Sequence, residues 1–241
     1  MRLDKFICKS SELTKEEAIQ NIHAGNVLVN EVKALEESMQ VHEDNSITLC
    51  GKALALRPFR YILMHKPAGV ICSNNDGDYP SLFRLLDINK KSELHIAGRL
   101  DVDTTGLVLI TDDGRWTYNI TRPDKKCKKE YRVGLSYAIP NEKADEVKAC
   151  FSNGIALQGE QQLTLPALLE IIPTAGSTAS LASEEVLLTI VEGRYHQVKR
   201  MFAAVGNRVL TLHRQKIGSI QLDVGAGEWR YLTEDEVNSF E

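Results

Sequence analysis

Between residues 60 and 212, eight short segments read as strands and only four as helices, and the two kinds do not alternate. That order is the strongest constraint on the fold. Regular strand–helix–strand repeats would build a parallel sheet. Their absence favours an α+β fold with a mostly antiparallel mixed β-sheet flanked by helices. The strand-like runs are 60–64, 69–73, 94–97, 107–111, 130–136, 168–172, 186–191 and 208–212; the helical ones are 81–86, 115–121, 142–153 and 196–205. Residues 173–183 are mostly small and are expected to form a flexible loop.

The first 58 residues form a separate pattern. Leu3, Phe6 and Ile7 have helical spacing, and Thr14 with Glu17 fits a capping box at the start of a second helix. Leu13 and Ala18 are placed for the accompanying hydrophobic staple, Ala18, Ile19 and Ile22 share a face, and Gly25 suits a left-handed stop. Strands are expected at 27–29 and 47–49, with a turn over 43–46 and a linker over 51–58. The expected division is therefore a small N-terminal α/β module, 1–58 with its linker, and a larger domain, 59–241.

Composition excludes several classes. No apolar run approaches the roughly 20 residues of a membrane helix, and Met1-Arg2-Leu3-Asp4-Lys5 is not the start of a signal peptide. A cytoplasmic protein with no membrane partner is expected, with a monomer as the default. Five widely spaced cysteines, Cys8, Cys50, Cys72, Cys127 and Cys150, suggest free thiols rather than a disulfide framework or metal site. The net charge is −4, yet no Asp or Glu occurs from Gly193 to Leu222, a stretch holding Arg194, Lys199, Arg200, Arg208, Arg214 and Lys216. A second basic run spans Lys125 to Arg132. Charges beyond about 10 Å are screened, so such local patches attract phosphates even on an acidic chain. Arg194, Arg200, Arg214 and Lys216 are the candidate phosphate contacts.

The densest polar signal is Ala97-Gly98-Arg99-Leu100-Asp101-Val102-Asp103-Thr104-Thr105-Gly106-Leu107, a glycine-bracketed loop between two apolar strands. A loop held by rigid strands is a common place for catalytic groups. On spacing alone it reads first as a turn whose Asp and Thr side chains cap their own backbone. A hydrolase built on Asp101 and Asp103 is a weaker reading, because no general acid is placed opposite them.

Gly98-Arg99-Leu100-Asp101 resembles the signature of the pseudouridine synthases, and 97–113 resembles the branch named after the small-subunit ribosomal RNA enzyme. Three further stretches agree in order: His65-Lys66-Pro67-Ala68-Gly69-Val70, Lys129-Glu130-Tyr131, and Gly193 through Phe202. The N-terminal module resembles the S4 RNA-binding domain through Arg2-Leu3-Asp4-Lys5-Phe6-Ile7 and Ile22 through Asn30. It departs from the usual Ser-Arg with Thr14-Lys15, and with seven Lys/Arg against nine Asp/Glu it is not basic overall.

The resemblance implies isomerisation of a uridine in ribosomal RNA, without redox change or group donor and hence without cofactor or metal. The N1–C1′ bond breaks, the base turns while held, and it rejoins through C5. Asp101 is the implied carboxylate, attacking sugar or base or removing a sugar proton. Lys199 is the implied cation beside it; many relatives carry Arg there, and Lys offers a point charge instead of a fork. Tyr131 is implied to stack on the uracil, although its alternation with Val133 and Leu135 also fits a core strand. Arg99 would fill the space left by an extruded nucleotide, hold a phosphate, or pair with Asp103, and Leu210 would pack under the base or in the core. Lys66-Pro67 reads as structural and His213 as unassigned. The implied substrate is small-subunit 16S RNA or an assembling small-subunit particle. Large-subunit 23S RNA is the near alternative, and a non-catalytic RNA-binding assembly factor is the reading from another class.

Overall fold

A computed structural model describes residues 1–42, 44–172 and 184–240. The chain divides into two compact units, Met1–Phe59 and Arg60–Glu241. The expected loop over 173–183, and Glu43 of the expected turn, lie outside the described residues.

The first unit contains α1 (Leu3–Ser10), α2 (Lys15–His23), β1 (Val27–Val29), β2 (Val32–Lys33), β3 (Ile47–Leu49) and β4 (Lys52–Ala53). Both halves of the capping box are present: Thr14 accepts from the Glu17 amide, and the Glu17 carboxylate accepts from the Thr14 amide. Gly25 follows α2 with φ at +72°. The sheet order is β2-β1-β3-β4. Leu3, Phe6, Ile7, Ala18, Ile22, Val27, Val29 and Ile47 make its core. Ala53, expected in a linker, is instead paired with Thr48.

The second unit is built on β5 (Tyr61–Lys66), β6 (His95–Ala97), β7 (Thr105–Thr111), β8 (Lys129–Leu135), β9 (Leu168–Ile171), β10 (Glu184–Ile190), β11 (Val209–Ile217), β12 (Ile220–Gln221) and β13 (Trp229–Tyr231). They form one sheet in the order β13-β5-β7-β11-β8-β10-β9, with β6 on β7 and β12 on β11. All pairings are antiparallel except β7 with β11. The helices are α3 (Gly114–Thr121), α4 (Ala144–Asn153), α5 (Gln197–Ala204) and α6 (Glu234–Asn238). None of the described helices is long and apolar enough to cross a membrane.

Strand alternation sends side chains to two cores. Ile62 and Met64 of β5, with Val108 and Ile110 of β7, face one; Leu63, Leu107 and Leu109 face the other. The first core also takes Tyr131, Val133 and Leu135 from β8 and Val198, Met201 and Phe202 from α5. The second is closed by Trp116 and Ile120 of α3 and by Phe240.

Two sequence expectations change. Residues 69–73 form no strand, because their backbone is drawn elsewhere: the Gly69 amide donates to Val102, the Ile71 amide to Pro80, and Ile71 accepts from Leu82. Residues 82–85 form a 3₁₀ turn capped by Ser81 in place of an α-helix. The C-terminal β12, β13 and α6 were not anticipated, although Thr233 and Glu236 form a second capping box of the kind recognised at Thr14.

Candidate active site

β7 has β5 along one side, while its other side is shared. β6 pairs with it from Leu109 to Thr111, and β11 pairs with it only at Thr105 and Gly106. The loop from Gly98 to Thr104 emerges at this change of partner. Gly106 permits the close approach: its φ is +110°, and a Cβ there would lie 2.2 Å from the Arg214 carbonyl oxygen.

The loop is held from beneath. Lys66 is fully buried, and its ammonium donates to the carbonyls of Pro67 (3.0 Å), Val102 (3.2 Å) and Thr104 (2.7 Å). Burial pulls its pKa down, opposed by the charges of Asp103 and Asp101 among others. The Leu100 amide donates to the Cys72 sulfur at 3.3 Å. Arg214 donates to the carbonyls of Leu107 and Gly98, each at 2.7 Å, and to the Tyr131 hydroxyl at 3.3 Å.

Above the loop, α5 brings its first turn to the carboxylates. Lys199 Nζ lies 3.3 Å from Asp101 Oδ2 and 2.6 Å from Asp103 Oδ1. Burial lowers the Lys199 pKa, but the Asp103 hydrogen bond and both carboxylate charges outweigh it and leave it raised. For Asp103, burial pushes upward and the Lys199 contacts prevail, so its pKa is lowered. His196 Nε2 lies 3.5 Å from Asp101 Oδ1. The segment before α5 is braced by buried Glu192, which accepts from Leu165, Arg194 and Gln197.

These groups line a cleft of about 580 Å³, with Arg99, Asp101, Tyr131, Lys199 and Leu212 on its walls. Its size is within the range of small-ligand pockets. The structure thus brings together Asp101, Lys199, Tyr131 and Arg99, which are far apart in sequence. Asp103 pairs with Lys199 and not with Arg99, which is exposed. Asp101 and Asp103 contact the same ammonium, so they do not face each other across a bond as a hydrolase pair would. Among the described residues, no group of three or more His, Cys, Asp or Glu could hold a metal.

Three of the expected phosphate contacts are engaged within the protein. Arg214 is 2% exposed and spends its donors on the loop and Tyr131, so it is part of the site's frame. Arg194 binds the carbonyls of Gln162 and Leu163 and the Glu192 carboxylate. Arg200 binds Glu160 and the carbonyls of Gln158 and Tyr195. Lys216 remains a half-buried residue on β11. Leu210 is also displaced: it is 42% exposed, and Leu212, 8% exposed, lines the cleft instead. The pairing of β11 with β8 shifts register between Val209 and Thr211, which leaves Leu210 as the extra residue of a bulge. Sequence reading missed Lys66 and His196 as neighbours of the carboxylates. A lysine ending an apolar strand was the available signal for the first.

The sequence model of the RNA pseudouridylate synthase family matches residues 60–204, which contain Asp101, Tyr131 and Lys199. The chain belongs to that family. The synthase is 49% identical over 241 residues to a Vibrio cholerae protein named ribosomal small subunit pseudouridine synthase A, covering 99% of each. It is 43% identical over 243 residues to the Escherichia coli protein of the same name, again covering 99% of each. It also matches a crystal structure described as a pseudouridylate synthase, with a TM-score of 0.68, 41% identity and full coverage of both chains. The mixed sheet of the synthase is therefore the pseudouridine synthase fold.

Proposed function

We propose that this synthase isomerises a uridine of small-subunit ribosomal RNA to pseudouridine, with Asp101 as the catalytic carboxylate. The observation that carries the proposal is the contact of Asp101 with Lys199 at the wall of an open cleft. An adjacent cation favours the charged form of a carboxylate, the form needed to begin cleavage of the N1–C1′ bond. The choice of RNA is supported by relatives named for the small subunit, aligned over nearly the full chain including the N-terminal unit.

In this reading an unstacked uridine enters the cleft, as sequence-specific RNA recognition commonly requires. Tyr131 and Leu212 contact the base, and Lys199 holds the carboxylate charge. Arg99 at the exposed wall occupies the space vacated by the nucleotide and meets a neighbouring phosphate. After N1–C1′ cleavage the base turns, C5 bonds to C1′, the C5 proton leaves and N1 gains one. The sum is an isomerisation, and no cofactor takes part. The N-terminal unit, with its S4-like order of elements, adds a second contact to RNA. The working compartment is the cytoplasm and the working form a monomer.

Tritium release from C5-labelled uridine tests the reading, with unmodified small-subunit RNA and partly assembled particles as substrates. Release by the wild type and not by Asp101→Asn is expected. Equal release by Asp101→Asn overturns the role of the carboxylate. Release only from large-subunit RNA reassigns the substrate, and release from neither RNA leaves the assembly-factor reading in its place.

A further inference from the structure

We infer that Tyr195 is a stacking platform for the nucleobase next to the target uridine. The inference rests on the proposed reading of the cleft as a uridine site and deepens it. Tyr195 is 77% exposed, more than any other large hydrophobic side chain among the described residues, and it lines the same cleft as Asp101. One face of its ring is covered: it stacks on His196 with ring centroids 3.8 Å apart and an interplanar angle of 19°. His196 in turn reaches Asp101 at 3.5 Å. From the carboxylate outward the order is Asp101, imidazole, phenol ring, solvent. The Tyr195 ring is thus linked to the assigned carboxylate through one imidazole, whose edge meets Asp101 and whose face meets the phenol.

The ring is held in place before any ligand arrives. His196 has φ at +48°, which sets the turn between Tyr195 and α5. Arg200 donates to the Tyr195 carbonyl at 3.1 Å. On the other side, the Arg194 amide donates to Gln197 Oε1 at 2.8 Å, and the Gln197 amide donates back to the Arg194 carbonyl at 3.2 Å. A base that stacks here meets an aromatic face whose ordering has already been completed.

The surroundings favour a base over a phosphate. The two nearest arginines in sequence are neutralised: Arg194 by Glu192 at 3.1 Å, and Arg200 by Glu160 at 3.0 Å. What remains open is an uncharged aromatic surface, and stacking on it does not depend on which base arrives, because every base has a π-face. The specificity it adds is for an unstacked neighbour, so a uridine whose flanking base stays within a helix is disfavoured.

The test uses full-length protein and an unpaired RNA segment carrying 2-aminopurine on either the 5′ or the 3′ side of the isomerised uridine. Wild type and Tyr195→Phe are compared with Tyr195→Leu, which keeps apolar bulk at an exposed position and removes the ring. Quenching of the probe at one of the two positions is expected for wild type and Tyr195→Phe, and its loss for Tyr195→Leu. KM for the RNA should rise about tenfold in Tyr195→Leu, the effect of one lost stacking contact, while kcat stays within about twofold of wild type. Undiminished quenching by Tyr195→Leu, no quenching by an active wild type at either position, or an unchanged KM overturns the platform. Absence of isomerisation by the wild type on this RNA overturns the underlying uridine-site reading, a separate outcome from the loss of quenching.

Discussion

The ammonium nitrogen of Lys199 lies 3.3 Å from a carboxylate oxygen of Asp101 and bridges it to Asp103. The first residue lies in the first turn of α5 and the second in the loop between β6 and β7. The two roles separate by mutation. Asp101→Asn should abolish isomerisation while RNA affinity stays within about threefold, since shape and most contacts are kept. Lys199→Ala should reduce kcat by about 10²-fold, less than Asp101→Ala, because the carboxylate remains and only its charge partner is lost. Single-turnover rates with matched RNA binding measure both. A Lys199→Ala enzyme as inactive as Asp101→Ala would give Lys199 a direct part in the chemistry.

Gly106 should tolerate no side chain. A Cβ there would lie 2.2 Å from the carbonyl oxygen and 2.7 Å from the amide nitrogen of Arg214, both backbone atoms that cannot swing aside. Gly106→Ala should cost roughly 3 kcal/mol or more, since it adds strain at positive φ to a broken β7–β11 pairing. Urea unfolding measures this. Gly114→Ala is the control, because its Cβ meets nothing within 4 Å.

Salt dependence should sort the basic residues. Arg194 and Arg200 are tied to carboxylates and carbonyls. Neutralising either should reduce stability more than it changes the salt slope of RNA binding. Arg99 is exposed at the cleft, and Lys216 is half-buried on β11. Arg99→Ala and Lys216→Ala should each flatten the slope by about 0.7, the value for one contact to a single strand. Titrations at several salt concentrations measure it; an unchanged slope removes that residue from the RNA interface.

Acid should release the C-terminal helix. Arg230 on β13 makes two hydrogen bonds to Glu236 of α6, at 2.7 and 2.8 Å. The Arg230 hydrogen bond, with help from the Thr233 amide and against burial, lowers the Glu236 pKa to about 2. A carboxyl whose folded pKa is depressed stabilises the fold above its unfolded pKa and loses that contribution as pH falls. The loss should run from about pH 5 to pH 2 and amount to roughly 1–3 kcal/mol. Glu236→Gln should be less stable at pH 7 and should lack this part of the acid slope. Thermal unfolding across that pH range measures the difference.

Local patterns were legible where the cause is local. The Thr14–Glu17 box needs only neighbouring residues, and the side chains of β5 and β7 alternate because a strand has period two. The buried stripe Val198, Met201 and Phe202 follows from helical spacing, and so does the position of Lys199 beside it. The expected strand at 69–73 was misread because apolar residues there satisfy their backbone on Val102 and Pro80, partners distant in sequence.

The sequence by itself determined the kinds and order of the chemical groups: a polar loop holding Asp101, an aromatic strand holding Tyr131, and a basic helix holding Lys199. Tertiary structure alone decided which of them meet and which face they turn. One extra residue at the β11 bulge exposes Leu210 and carries Leu212 to the cleft, because inserting one residue in a period-two strand reverses every side chain beyond it. The same strand buries Arg214 against Gly106, turning a cation that composition assigned to phosphate into a brace for the loop that holds Asp101. Net charge and periodicity carry no information about such contacts, since they depend on register and on carbonyl groups that every residue possesses.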